Sequence, residues 1–430
     1  MNYSEKLNRL IPGGAHTYSR GDDQYPSNAP QILSKGKGAY VWDADGNQYL
    51  DYGMALRANI LGYANDEVDN AAYNAAQLGN NLTRASLVEL EAAELITELI
   101  PGADMVKFGK NGSTVTSAAI KLARAYTGKK YIARCSDHPF FSYDDWFIGD
   151  TPLTKGIPNE ISDLTLSFKY NDLDSLEELF KKCPDQIAGI ILQPAESVFP
   201  DKDYLQKAKE LCHKNGSLFI LDEMITGFRW HLKGAQEYFN VVGDLSTFGK
   251  GMANGYSVSA LTGKKEIMDM GGIKKEGAEK VFLVSTTHGA EMNGLAALIK
   301  TVEILKRDNV IDHIWDYGKK LIDGMNEIAI ELGIDTNFKV LGYPCSPNYL
   351  TFDPYGHPSI GLRTLYSQEM IKNKVLIPWI ALSYSHGKEE LEITLAATRE
   401  SLKIVKLALE DGLENYLVGD VVKPVFRKFN

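Results

Sequence analysis

Cysteine is scarce in this chain: Cys135, Cys183, Cys212 and Cys345 are the only four in 430 residues. They are too dispersed for a paired zinc knuckle and too few for a disulfide scaffold of this size. Free thiols in a reducing cytoplasm are expected. No apolar run reaches the roughly 18 residues of a membrane span. The opening MNYSEKLNRLIPGG has neither the apolar stretch nor the cleavage site of a secretory signal. A cytoplasmic protein with no membrane partner is therefore expected. Basic charge is also short, with 46 Lys and Arg against 56 Asp and Glu, a formal net charge of −10. That balance argues against a surface that coats nucleic acid, so a phosphate-bearing ligand needs a local, built site. Two chemical motifs are missing as well. G-x-x-x-x-G-K-[ST] occurs nowhere, which removes a nucleotide P-loop. HExxH is absent and His16, His138 and His288 are scattered, so no metal site is expected.

What is present suits a large α/β protein. The length allows two or three domains at about 150 residues each, and a 44% hydrophobic fraction supplies an ample core. Three regions are drawn: an N-terminal segment, 1–60, a large middle region, 61–305, and a C-terminal region, 306–430. The first carries two short strand patterns, AYVWD (39–43) and QYLDY (48–52), around the turn Asp45-Gly46-Asn47. In the middle region, Ser86 with Glu89 opens a helix that Pro101-Gly102 ends. QIAGIILQ (186–193) reads as a buried strand, DYLQKAKELCHKNG (203–216) as an amphipathic helix, and SLFIL (217–221) as the next strand. Strand, helix, strand at that spacing is a βαβ unit, which predicts a mostly parallel sheet sandwiched by helices.

That architecture gives meaning to LFILDEMITGFR (218–229) and to Lys250 in STFGKGMANG. In an open parallel sheet, ligands collect outside the carboxyl ends of the strands. Two neighbouring strands there aim Asp222 and Lys250 into one crevice. A buried acid beside a reactive amine suits pyridoxal phosphate chemistry, in which the lysine forms a Schiff base and the acid keeps the pyridine nitrogen protonated. The plain alternatives are a solvated lysine and a structural or helix-capping carboxylate.

A second candidate is GKNGSTVTSAAIKLARAYTG, Gly109 to Gly128. Apolar residues at helical spacing predict a helix over 114–125, preceded by Asn111-Gly112-Ser113. Small, hydrogen-bonding residues at the positive end of a helix make a phosphate cradle, although an ordinary N-cap and turn has the same composition.

With these motifs together, the chain resembles the class III, fold-type-I pyridoxal-phosphate-dependent aminotransferases, nearest their glutamate-1-semialdehyde 2,1-aminomutase branch. The likeness runs from LIPGGAHTYSRG (10–21) through KGAYVWDADGNQYLDY (37–52), ILDEMITGFR and TFGKGMANG to SYSHGKEELE (383–392). The GDDQYP phrase (21–26) is similar to relatives in surface-polysaccharide pathways. The resemblance implies an α/β fold with a large cofactor-binding domain and a smaller α+β domain built from both chain ends. It implies that Lys250 and Asp222 are catalytic and hold pyridoxal 5′-phosphate. Asn111, Gly112 and Ser113 cup its phosphate, and Phe140 stacks on its ring. Thr287 reaches the phosphate from a second subunit, hence a homodimer with shared active sites. Arg20, Arg57 and Tyr18 are the substrate candidates, because arginine is the natural carboxylate clamp.

Five positions depart from the aminomutase pattern: Phe140-Phe141-Ser142, Thr114 and Gln193 stand where that branch carries Tyr-His-Gly, a glutamate and another glutamate. The altered pocket favours amino transfer from an amino acid donor, glutamate, to a ketone or aldehyde of a larger, sugar- or polysaccharide-related metabolite. The alternatives are the aminomutase itself and an inactive binding protein that kept the fold.

Overall fold

In the computed structural model, which describes residues 2–430, seven strands make one sheet. Their spatial order is Met105–Gly109, Ser259–Gly263, Leu245–Phe248, Leu218–Asp222, Ile187–Leu192, Tyr131–Cys135 and Thr165–Phe168. The last five run parallel, and Ser259–Gly263 is antiparallel to both of its neighbours. The expected βαβ unit is Ile187–Leu192, the helix Tyr204–Lys214 and Leu218–Asp222, with Leu192 opposite Leu221.

Strands covered on both faces read as unbroken apolar runs. Ile187–Leu192 and Leu218–Asp222 are buried at every position. Ile190, Leu192, Phe219 and Leu221 share one cluster with Leu205, Ala208 and Cys212 of the Tyr204–Lys214 helix and with Leu176 and Phe180. The alternate residues face the other way, where Gly189 lies against Ala123 of the helix Gly112–Thr127. Ile220 and Asp222 share that face, because successive side chains in a strand alternate.

The Gly112–Thr127 helix is longer than the 114–125 predicted from periodicity. Its cap lies at Asn111, whose Oδ1 accepts from the Thr114 N–H at 3.0 Å, and it stops at Gly128 in the left-handed region, φ 69°. The small residues expected to precede the helix are its cap and first turn.

The chain divides into two units. One is Asp66–Ile311 with Lys428–Asn430, and holds this sheet; the other runs to Asn65 and resumes from Asp312 to Arg427. In the second, Tyr40–Asp43 and Gln48–Asp51 form the expected antiparallel pair, with the Asp43 carboxylate accepting from the Asp45 and Asn47 N–H groups across the turn. Leu33–Lys37 adds antiparallel and Val375–Leu376 parallel, and a separate hairpin pairs Phe338–Tyr343 with Ser346–Thr351. The helices Ile360–Lys372 and Lys388–Asp411 complete an α+β arrangement built from both chain ends. Among the described residues no helix is long and apolar enough to cross a membrane. None of the four cysteines forms a disulfide, and three of them are buried.

Candidate active site

Asp222 ends its strand fully buried, opposite Thr247 on the neighbouring strand. Its Oδ1 accepts from Thr247 Oγ1 and from the Met224 N–H, both at 3.0 Å. Burial pushes the Asp222 carboxyl up to about 6, and the charge of Lys250 opposes that push. The two groups expected to work together are thus within electrostatic reach of each other.

Lys250 follows the Leu245–Phe248 strand and is half-buried. Its own φ is 45°, in the left-handed region that a lysine enters at a cost of about 1–2 kcal/mol. Gly249 before it has no room for a side chain, since a Cβ there would lie 2.6 Å from Met224 Sδ. A Cβ on Gly112 would lie 3.0 Å from the same sulfur. Met224 therefore packs the lysine turn, the loop after Asp222 and the first turn of the Gly112–Thr127 helix against one another. Met224 belongs to no chemical motif of its own; the signal for it is the pair of glycines, Gly112 and Gly249, in motifs that must approach one loop closely. Thr247 has no such signal. Its place opposite Asp222 follows from strand register, which no local motif encodes.

At the helix end, Asn111 occupies the Thr114 N–H, while the Gly112 and Ser113 N–H groups belong to the first turn and have no intrahelical acceptor. The Ser113 hydroxyl accepts from the Tyr143 N–H at 3.0 Å, which leaves its own proton to donate. The segment carrying Phe140 is fastened to the same helix. Thr116 Oγ1 donates to the Phe141 carbonyl at 2.9 Å, and Trp146 Nε1 donates to Ser117 Oγ at 2.8 Å. Phe141 is buried, whereas Phe140 is 44% exposed and stands edge-on to Phe147, so Phe140 has a face left to cover a ligand. These features fit pyridoxal phosphate: a buried acid for the ring nitrogen, a lysine within its field, and a helix end with free N–H groups at Gly112 and Ser113 for the phosphate.

Two further buried groups lie beside the centre. Glu223 accepts from the Ala235 and Gln236 N–H groups at 2.9 and 2.8 Å and from the Thr226 hydroxyl, with burial pushing it up to about 7. All three of these bonds fold the turn that follows the strand. His138 Nδ1 accepts from the Gln193 N–H at 3.1 Å, and burial lowers this imidazole to about 4, so it is neutral at physiological pH.

Thr287 lies on a segment whose Glu291 pairs with Lys110 at 2.7 Å, next to the turn that leads into the Gly112–Thr127 helix. It is exposed, and its carbonyl accepts from Asn81 Nδ2 at 3.0 Å. Tyr18, Arg20 and Arg57 belong to the other unit. There Tyr18 is 63% exposed, and the charge of Arg20 opposes the rise that burial and Asp51 impose on the Tyr25 hydroxyl, which stands at about 12. Arg57 ends a turn of left-handed helix, Met54, Ala55, Leu56 and Arg57 having φ of 40°, 48°, 64° and 70°. Buried Asp51 holds the start of that turn by accepting from the Gly53 and Met54 N–H groups at 2.8 and 3.0 Å. Tyr63 adds a hydroxyl that accepts from the Ala55 N–H at 3.0 Å and donates to Asp51 at 2.6 Å.

Comparison with known proteins agrees with this chemistry. The family model for aminotransferase class-III matches residues 23–336. The chain is 38% identical over 423 residues to the 3-aminobutyryl-CoA aminotransferase of Cloacimonas acidaminovorans, covering 95% of this chain and 98% of that protein. It is 34% identical over 354 residues to the glutamate-1-semialdehyde 2,1-aminomutase of Persephonella marina, covering 80% and 81%. Among solved structures, the pyridoxal-phosphate form of the FumI protein of Sphingopyxis sp. MTA144 matches with a TM-score of 0.86 at 28% identity, over 95% of this chain and 97% of that one. An omega-transaminase from Sphaerobacter thermophilus shares the fold, with a TM-score of 0.83 at 24% identity over 94% and 97%.

Proposed function

The chain belongs to the class-III aminotransferases, whose cofactor is pyridoxal 5′-phosphate, and we propose that it moves an amino group from glutamate to a ketone or aldehyde carbon of a larger metabolite. The observation that carries this reading is buried Asp222 at its strand end, with Lys250 on the adjoining strand's turn close enough to oppose its rise in pKa.

When bound, pyridoxal phosphate supplies an electron-withdrawing ring that spreads the negative charge left on a deprotonated amine-bearing carbon. Asp222 would hold the ring nitrogen protonated, and Thr247 and the Met224 N–H fix the carboxylate that would do so. Lys250 would hold the cofactor, and its amine would move the proton at the amine-bearing carbon. Asn111, Gly112 and Ser113 would take the phosphate, and Phe140 would shield the ring from water. Arg20, Arg57 and Tyr18 grip the anionic and polar groups of donor and acceptor.

The acceptor is the finest part of the reading. The name of the Cloacimonas relative supports an acyl thioester bearing the carbonyl on its third carbon, while the sugar-related acceptor rests on the GDDQYP phrase alone. The aminomutase reading has support in the Persephonella relative. Against it stand Thr114, Gln193 and Phe140-Phe141-Ser142, where that branch carries other residues. An inactive binding protein has no need to keep both Lys250 and Asp222.

We also place the enzyme in a reducing cytoplasm, as four cysteines without a disulfide support, and as a homodimer in which Thr287 completes the partner's site. Exposed Tyr73, Leu78, Leu82, Leu87 and Leu90, in the unit that carries Thr287, are the kind of apolar surface that a second copy covers. The test of amino transfer is a half-reaction with glutamate alone. It should release one 2-oxoglutarate per subunit and leave the cofactor in its amine form; absence of keto acid with every amino donor would exclude the reading.

A further inference from the structure

Thr287 opens a turn, 287–290, in a stretch that carries neither helix nor strand before the helix Met292–Arg307 begins. The residues from Ser285 to His288 are exposed, and such a stretch keeps one conformation only where contacts fix it. Two asparagines hold its backbone. Asn81 Nδ2 donates to the Thr287 carbonyl, and Asn80 Oδ1 accepts from the Asn293 N–H, both at 3.0 Å. Glu291 supplies a link in another direction. Its Oε2 pairs with Lys110 Nζ at 2.7 Å and its Oε1 with His288 Nδ1 at 3.3 Å. One carboxylate thus joins the Thr287 turn to the residue that precedes Asn111.

Both partners are placed for this contact. Glu291 stands at the N-cap of the Met292–Arg307 helix, where a polar side chain ordinarily accepts from the first-turn N–H groups. It makes no such bond. Lys110 is anchored on its own side, because its carbonyl accepts from Ser257 Oγ at 2.5 Å and the next residue, Asn111, caps the Gly112–Thr127 helix. Its ammonium lies over the start of the Met292–Arg307 helix, where a Cβ on Gly294 would come 3.7 Å from Nζ. A cation meets the positive end of the helix dipole there, and the Glu291 carboxylate offsets it. The two side chains are only 22% and 24% exposed, and Lys110 holds the Glu291 carboxyl below its ordinary value. A pair shielded to this degree is screened less than a solvated one.

We propose that the Lys110–Glu291 ion pair positions Thr287 for the cofactor phosphate, by fastening the turn that carries its hydroxyl to the entry of the phosphate-binding helix. The inference rests on the reading that Thr287 serves the phosphate in the partner's site. Lys110 and Glu291 are positioning residues: each acts through Thr287, and neither takes the phosphate itself. The two stand far apart in the chain, so their contact sets a tertiary distance that the local geometry of the turn leaves open. The second carboxylate oxygen, on His288, carries that restraint to the residue next to Thr287.

The test is a binding cycle on the full-length protein, stripped of cofactor and titrated separately with pyridoxal 5′-phosphate and with pyridoxal, which lacks the phosphate. Glu291→Gln and Lys110→Met should each weaken the apparent affinity for pyridoxal phosphate about 3- to 10-fold and leave that for pyridoxal unchanged. Added to Thr287→Ala, neither should cause further loss, because the group they position is gone. Equal loss with both compounds, no loss with either, or a full additional loss in the Thr287→Ala background would overturn the proposal. The last result for Lys110→Met alone would assign its ammonium to the phosphate directly. Thr287→Ala by itself checks the underlying reading. If it leaves pyridoxal phosphate affinity unchanged, Thr287 does not serve the phosphate and both readings fall together. If it weakens binding while Glu291→Gln does not, the positioning role alone is lost.

Discussion

Thr247 Oγ1 lies 3.0 Å from Asp222 Oδ1, across two parallel strands on which the two residues stand directly opposite each other. The hydroxyl donates to the oxygen that also receives the Met224 N–H, so the carboxylate is fixed before any ligand arrives. Preorganised charge of this kind is worth more to a reaction than charge that must reorient.

Asp222→Asn should therefore keep the fold while turnover falls by at least roughly a hundredfold, the effect expected when a preorganised group worth about 2.7–4 kcal/mol is removed. Steady-state kinetics on the cofactor-saturated variant check this. Near-normal turnover would assign protonation of the ring to another group.

Acidification should act through the same residue. The folded carboxyl is raised to about 6 from an ordinary 3.8, so between those values the folded protein holds a proton that the unfolded chain has released. Asp222 thus weighs against the cofactor-free fold above pH 6, and that penalty is relieved as pH falls. Cofactor binding runs the other way, because only the carboxylate pairs with a protonated ring nitrogen. Pyridoxal phosphate affinity should fall below about pH 6 in the natural protein. Titrations of Asp222→Asn over the same range should show a flatter dependence.

Glu223→Ala should destabilise the protein by about 3 kcal/mol or more, since two main-chain N–H groups and the Thr226 hydroxyl lose their buried acceptor together. Denaturant unfolding of the cofactor-free protein measures it. A loss below about 1 kcal/mol would mean that water enters and replaces the carboxylate.

Much of this centre was legible beforehand. LFILD announced a buried strand ending on an acid, and strand, helix, strand spacing implied the parallel sheet that brings Lys250 near it. The helix start at Gly112 was not legible from periodicity, because a polar cap and first turn carry no apolar repeat. The left-handed turn that ends on Arg57 was hidden more deeply: Met54, Ala55, Leu56 and Arg57 include no glycine, and the turn is held by Asp51 and by Tyr63, which is farther along the chain. Tertiary contacts of that kind leave no mark on a local pattern.

Tyr63→Phe tests that turn. It removes the acceptor of the Ala55 N–H and the donor to Asp51, and should lower stability by about 1–3 kcal/mol. If Arg57 grips an anionic substrate group, KM for that substrate should rise while kcat changes little. Thermal unfolding and kinetics with each substrate read the two effects apart.

Mixing chains tests the shared site. Lys250→Ala chains combined with Thr287→Ala chains should form hybrids with one site intact in both respects and the other defective in both. At limiting cofactor, activity after mixing should exceed the sum of the two parents. Activity equal to that sum, or a fully active monomer at nanomolar concentration, would remove Thr287 from the partner's site.

The most direct measurement is borohydride reduction of the cofactor-loaded protein followed by peptide mapping. The adduct should lie on Lys250, in one copy per subunit, and Lys250→Ala should yield none. A reduced adduct on any other lysine would contradict the account at its centre.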